Sequence, residues 1–259
     1  GLLMILVVGS ITQASDNRSA PNVFSSGSTI SSSQMNENFN FLASEIREKD
    51  VYCNSGDTIS EAINEGYNSL TIYGTCDGGL MVYMFDPNPF GVTYSQMLNK
   101  PISHLIIKGG DSNRTAKIIN TSGGMKSNIM SNGTLQLYNL TFNDSLNIND
   151  GSVLMLNGVD YEALNLENDE YSRIGISGNS FALVRDSSIS AQLEASENSN
   201  VIIEKSNVNA PSGDEYVLEI EKNSHLETEE TNLNGKISMR LGSSWDEDDS
   251  TINCIGSYS

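Results

Sequence analysis

The stretch ENSNVIIEKSNV, residues 197–208, returns in altered letters as DGSVLMLNGVDY (150–161), GNSFALVRDSSI (178–189), KNSHLETEETNL (222–233) and LGSSWDEDDSTI (241–252). Aligned on a hydroxyl residue, and with the shorter GTLQLYNLTF added at the front, the copies are anchored at Thr134, Ser152, Ser180, Ser199, Ser224 and Ser243. The intervals are 18, 28, 19, 25 and 19 residues, so the basic period is 18 to 19, with insertions around residues 167–172 and 210–215. The residue before each anchor is Gly133, Gly151, Asn179, Asn198, Asn223 or Gly242. Only Gly and Asn occupy that column, and both tolerate a left-handed backbone at low cost, which predicts one tight bend with positive φ per repeat.

The apolar residues fall into columns. Four before the anchor stand Met130, Ile148, Ile176, Ala195, Ile220 and Met239; six before stand Leu146, Ile174, Leu193, Leu218 and Ile237. Two after come Leu154, Ala182, Val201, Leu226 and Trp245, and nine after come Tyr161, Ile189, Val208, Leu233 and Ile252. Alternation with period two is that of a strand with one face inward. Each repeat therefore supplies three short strands separated by polar bends. A single repeat cannot bury its apolar side, so the repeats must stack, each hydrogen-bonded to the next at about 4.8 Å. Weaker relatives occur upstream at SLTIYG, SHLIIKGG and AKIINTSGG.

Ahead of the repeats, VYCNSGDTISEAINEGYNSLTIYGTC contains a capping-box pattern at Thr58 and Glu61, apolar residues Ile59, Ala62 and Ile63 on one face, and Gly66 as a stop. This predicts a short helix leading into a strand at Leu70–Tyr73. Further upstream, SSSQMNENFNFLASEIREKD (31–50) places Met35, Phe39, Leu42 and Ile46 on a helical seam of two heptads. The seam packs on the neighbouring domain or joins copies of the chain into a homotrimer. Residues 1–15, GLLMILVVGSITQAS, resemble the apolar core and cleavage end of a secretory signal peptide, although the basic start is absent.

The coil periodicity, together with VYCNSGDTI and IYGTC at its start, resembles the right-handed parallel β-helix proteins of the pectin-lyase-like superfamily. The expected organisation is a signal-peptide remnant (1–15), a linker and amphipathic helix (16–50), and an all-β, right-handed parallel β-helix with an N-terminal cap helix (51–259). The strict hexapeptide repeat of left-handed β-helices is missing, while a β-helix interwound from three chains remains open. The resemblance implies three activities: polysaccharide lyases that hold calcium on acidic side chains beside an Arg or Lys base, hydrolases with clustered Asp residues, and non-catalytic surface spikes or binding proteins.

Composition narrows these. The chain has 259 residues, 33 acidic against 14 basic, for a net charge of −19. Residues 150–259 hold 21 acids and 6 bases, which accounts for −15 of that total. So negative a surface repels nucleic acid, whose binding depends on Lys and Arg displacing counterions. Five residues after the anchor stand Asn157, Arg185, Glu204, Glu229 and Asp248, and six after stand Gly158, Asp186, Lys205, Glu230 and Asp249. Stacked about 5 Å apart, Glu204, Glu229 and Asp248 make an acidic line whose two readings are a Ca2+ edge and a solvated face. Arg185 and Lys205 beside Asp186 and Glu204 read as a lyase base near a metal or as a ladder of ion pairs.

The segment LMVYMFDPNPFGVTYSQMLNKP breaks the rhythm, and its Tyr83, Phe85, Phe90 and Tyr94 suit either stacking on a sugar or fastening a side loop. In an exported chain Cys53 and Cys76 close a loop worth about 3 kcal/mol, leaving Cys254 over. His104 and His225 stand apart in the sequence from any Ser and acid in a recognisable catalytic order. The expected function is an exported, non-catalytic surface or appendage protein that contacts glycans or partner subunits, with no membrane span in the mature chain. The alternative is a lyase or hydrolase of acidic polysaccharide.

Overall fold

The structure, a computed structural model, describes residues 46–83, 102–111, 113–120, 127–162, 173–211 and 216–253. Residues 1–47 and 48–259 form separate compact units, and the second carries the repeats. The apolar start, the seam at Met35, Phe39 and Leu42, the rings of Phe85, Phe90 and Tyr94, and Cys254 lie outside the described residues.

Strands β1 (Glu48–Tyr52) and β2 (Ser69–Tyr73) flank a 3-10 turn, Cys53–Ser55, and one helix, α1 (Ile59–Asn64). The coils then run β3 (Thr75–Asp77), β4 (Met81–Tyr83), β5 (His104–Gly109), β6 (Lys117–Ile119), β7 (Ser127–Met130), β8 (Thr134–Tyr138), β9 (Thr141–Asn143) and β10 (Leu146–Ile148). They continue with β11 (Val153–Asn157), β12 (Asp160–Glu162), β13 (Arg173–Ile176), β14 (Phe181–Arg185), β15 (Ser188–Ser190), β16 (Gln192–Ala195), β17 (Asn200–Glu204) and β18 (Asn207–Asn209). The last are β19 (Tyr216–Ile220), β20 (His225–Glu229), β21 (Asn232–Asn234), β22 (Lys236–Met239), β23 (Ser244–Asp248) and β24 (Thr251–Asn253).

From β2 onward every third strand joins the same sheet. The first sheet has the order β1-β2-β5-β8-β11-β14-β17-β20-β23, the second runs from β3 to β24, and the third from β4 to β22. All pairs between neighbours are parallel. This is a right-handed parallel β-helix, the sense that parallel crossovers take. Helix α1 is capped as its sequence predicts: the Thr58 side chain accepts from the Glu61 N–H, and Gly66 follows with φ 90°. Its Ile59, Ala62 and Ile63 are buried with the core. Residues 48–50, which the seam pattern assigns to a helix, form β1 instead, because β2 offers them a parallel partner in register.

The interior files are those the repeat implies. Ile148, Ile176, Ala195, Ile220 and Met239 are consecutive partners across the third sheet. All but the last are essentially inaccessible. Leu135, Leu154, Ala182, Val201, Leu226 and Trp245 form the matching file of the first sheet. The Trp245 indole N–H donates to the buried Thr228 hydroxyl at 3.0 Å, so the ring sits inward with its polar edge satisfied.

The first repeat is displaced by one residue from its sequence alignment. Thr134 pairs with Val153, so Gly133, not Thr134, is the counterpart of Ser152. Ile129 therefore replaces Met130 in the interior file. The bend is also wider than one column. Its two central residues both have positive φ: Ser131 and Asn132, Asp150 and Gly151, Gly178 and Asn179, Glu197 and Asn198, Lys222 and Asn223, Leu241 and Gly242. Backbone bonds such as Ser224 N–H to Glu221 C=O close this turn, which has the two positive φ values of type I′.

Hydroxyls hold two of the three corners of the coil. At the first, Ser152, Ser180, Ser199 and Ser224 are buried, and each N–H from Ser152 to Ser199 donates to the hydroxyl one coil on, at 3.1 to 3.3 Å. At the second, the Val159 and Ser187 N–H groups donate to the Ser187 and Ser206 hydroxyls, and Thr231 N–H to Ser250. The corner residues thereby pair backbone groups that the strands, having ended, no longer reach. Ser199→Ala should leave the Ser180 N–H buried without its acceptor and cost about 1–3 kcal/mol. Urea denaturation should show a lower midpoint at unchanged slope. Ser188→Ala, on an outward position, should shift stability by no more than about 0.5 kcal/mol.

Candidate functional site

Parallel register turns the outer face of each sheet into files of stacked side chains, and the chemistry of a face follows from its files. On the first sheet, Lys108, Tyr138, Asn157, Arg185, Glu204, Glu229 and Asp248 form one file. The acidic line expected from sequence is therefore continuous. Its first member is engaged: Arg185 Nε donates to the Glu204 carboxylate at 2.6 Å and Nη2 lies 2.5 Å away. Among the described residues no group of three or more His, Cys, Asp or Glu is arranged to hold a metal ion. The neighbouring column of Gly158, Asp186, Lys205, Glu230 and Asp249 is the second bend, each residue having positive φ near 50–65°. Asp186 and Lys205 thus occupy a corner and do not flank Arg185 as members of a sheet face.

The outer face of the first sheet changes charge along the column, starting with exposed Glu48 and Asp50 on β1 and with Glu48 4.0 Å from Lys108. From β5 to β14 it carries Lys108 and Arg185 and no carboxylate; from β17 to β23 it carries Glu204, Glu227, Glu229, Asp246 and Asp248 and no Lys or Arg. Spanning the change of sign are five partly exposed apolar side chains, Val153, Met155, Phe181, Leu183 and Ile202, adjacent on β11, β14 and β17. Toward the acidic end, His225 Nδ1 lies 2.8 Å from the Ser244 hydroxyl and Nε2 lies 3.9 Å from Asp246 Oδ2. Coil stacking brings this trio together from positions 19 and 21 residues apart, although the linear order shows no such grouping. It does not make a hydrolytic triad: the carboxylate is beyond hydrogen-bond reach and its side chain is 82% exposed, so it cannot orient the ring.

The second sheet presents a different surface. Its outward files are Ser188, Asn207, Asn232 and Thr251, and Ser190, Asn209, Asn234 and Asn253. From β15 to β24 this face carries no charged side chain. The amides form ladders: Asn232 donates to Asn207 at 2.9 Å, Asn234 to Asn209 at 2.9 Å, and Asn253 to Asn234 at 2.8 Å. Each carboxamide has two donors and two acceptor lone pairs, so a ladder position retains capacity facing solvent. Neighbouring files are about 6.7 Å apart along a strand and about 4.8 Å apart between coils.

At the corner between the second and third sheets lies a buried carboxylate. Asp144 accepts from the Ser127 N–H and hydroxyl, the Asn120 amide and the Ser145 N–H. The Ser127 hydroxyl in turn accepts from Leu80 N–H at 2.8 Å. Burial pushes the Asp144 carboxyl above its ordinary value, while hydrogen bonds from Ser127, Asn120 and Ser145 oppose the shift. Surrounded by structural partners, Asp144 fastens three coils. Arg114 has a comparable role outside, pairing with Asp160 at 2.7 Å and donating to the Asp186 carbonyl.

Cys53 and Cys76 are joined, with Cα atoms 5.1 Å apart. Of the aromatic residues singled out in the sequence, Tyr83 falls on β4, and the other three lie outside the described residues. The described aromatic surface is elsewhere: Tyr52, 48% exposed, stacks on Tyr73 with centroids 4.7 Å apart and planes within 9°. Their spacing of 21 residues offers no local motif, and only the β1–β2 register reveals the pair. Comparison with protein-family models, curated proteins and solved structures finds no match.

Two outcomes follow from these sites. The folded chain holds the Asp144 proton more tightly than the unfolded chain, so this group's contribution to stability is full below pH 3.8 and lost as pH rises through its raised folded value. The melting temperature of the native chain relative to Asp144→Asn should fall with rising pH over that interval; a rise would contradict burial as the dominant cause. Because Arg185 already engages Glu204, calcium should raise the melting temperature of the native chain no more than that of Glu204→Gln/Glu229→Gln/Asp248→Asn, by calorimetry. A shift confined to the native chain would assign this file an ion.

Proposed function

We propose that this chain is a non-catalytic surface or appendage protein that binds neutral glycan along the outer face of the second sheet. The observation that carries the reading is the uncharged field of amides and hydroxyls from β15 to β24, with ladders that fix the Asn rotamers. A polysaccharide presents hydroxyls as donors and acceptors in sequence along its length, and rigid carboxamides answer both without a large entropic cost. With a net charge of −19, the chain disfavours acidic polysaccharide at long range.

A disulfide fits an oxidising compartment, which supports export. Among the described residues no helix is long and apolar enough to cross a membrane. The coil periodicity supports kinship with the pectin-lyase-like superfamily, whose non-catalytic members are surface spikes and binding proteins. The competing reading, a lyase or hydrolase of acidic polysaccharide, makes a separate demand: it must release new ends.

Immobilised dextran, galactomannan and xyloglucan should retain the native chain, and Asn207→Ala/Asn209→Ala/Asn232→Ala/Asn234→Ala should weaken retention at least about tenfold, a loss of about 1.4 kcal/mol. Circular dichroism should show the same strand content in both. Failure of all neutral glycans to retain the native chain, or equal retention of the variant, would refute this binding face. Appearance of unsaturated or reducing ends from pectate or alginate would replace the reading with the enzymatic one.

A further inference from the structure

We infer that the neutral face of the second sheet is a trough for an extended, β-1,4-linked glycan that lies along the axis of the column, one sugar residue to each coil. This rests on the glycan reading above and deepens it, by naming the linkage class and the direction of the bound chain.

The strands themselves supply the trough. From β15 to β24 each strand of this sheet has three residues, of which the first and third point outward and the second points in. The inward Ile189, Val208 and Leu233 are fully buried. No side chain rises between the two outward files, and the backbone of the inward residues forms a floor about 6.7 Å wide. The walls are amides, with Asn207 and Asn232 on one side and Asn209, Asn234 and Asn253 on the other. None of these strands carries an aromatic residue, so a sugar is held here by its rim of hydroxyls and not by ring stacking. The uncharged floor begins after β12, which carries Asp160 and Glu162.

Strand length selects the direction. A three-residue strand is about 10 Å long, so a chain laid along the strands leaves the face after about two sugar residues. Turned along the column, the same chain stays over β15, β18, β21 and β24, whose steps add up to about 14 Å. The coils are in register, Asn207 paired with Asn232 and Asn209 with Asn234 and Asn253, so matching walls return about every 4.8 Å. That step is close to the length of one pyranose ring in a chain joined through equatorial bonds on opposite sides of the ring. Such a chain is a straight ribbon with hydroxyls along both edges, where the two walls meet them. An α-1,4-linked chain bends at each linkage and runs out of the trough.

The ladder also leaves the right groups free. Asn234 gives one N–H to Asn209 and accepts one from Asn253, which leaves its carboxamide one N–H and one lone pair. A sugar hydroxyl, donor and acceptor at once, can use both.

Calorimetric titration of the full chain should give cellotetraose an affinity at least about tenfold higher than cellobiose or maltotetraose. Asn207→Ala/Asn232→Ala and Asn209→Ala/Asn234→Ala each strip one wall, and each should weaken cellotetraose binding at least about fivefold with unchanged circular dichroism. Retention of neutral glycan with no gain beyond cellobiose, equal affinity for maltotetraose, or indifference to the loss of one wall would overturn the axial trough and leave the glycan face standing. Failure of every neutral glycan to bind would remove both.

Discussion

A parallel strand has no partner at hand: its hydrogen-bonding neighbour arrives only after the chain has gone around once, so everything depends on each turn returning in register. The corners enforce that return. A two-residue bend with positive φ at one corner, a single such residue at the next, and a buried hydroxyl beside each decide where a strand stops and where its successor starts. If a corner slipped by one residue, every side chain in the following strand would change faces. Apolar packing supplies the larger share of the stabilisation, but the corners determine which residues receive it.

The fold was legible because this constraint writes itself into spacing. Ile176, Ala195, Ile220 and Met239 lie 19, 25 and 19 residues apart in the sequence, and the structure makes them one file. The first repeat was misaligned by a residue because Thr134 imitates the hydroxyl of the other anchors, while its true counterpart, Gly133, has no side chain to advertise. A Cβ there would lie 2.7 Å from the Val82 carbonyl oxygen, which explains the glycine. The positive φ of the second bend was not signalled, for a related reason. Lys205, Glu230 and Asp249 adopt positive φ without the Gly or Asn that signals it, and context overrides a local preference costing about 1–2 kcal/mol.

The faces were only partly legible. The acidic file emerged correctly from five-residue offsets, and of the two readings of Arg185 the ion pair with Glu204 on the next coil is the one present. The His225, Ser244 and Asp246 group and the Tyr52–Tyr73 stack are invisible locally, since coil stacking alone joins them. What emerges is a division of labour by sheet. The first sheet carries apolar and charged surface, the second carries neutral amides and hydroxyls from β15 to β24, and the third carries ion pairs such as Arg173 with Glu194 and Arg240 with Glu219. Once register is fixed, a change of residue at one offset alters one file and leaves the rest of the coil as it was.

The Cys53–Cys76 link carries a consequence for how the column comes apart. It ties the turn after β1 to the interior file of the second sheet, where Cys76 lies beneath Ile118. Turns that touch only their neighbours can be lost one after another, like a spring uncoiled by hand. With the sulfurs joined, the initial loop gains less freedom on release, so uncoiling from this end is disfavoured by about 3 kcal/mol relative to the reduced chain. The oxidation state of the surroundings thus sets the direction in which the spring gives way.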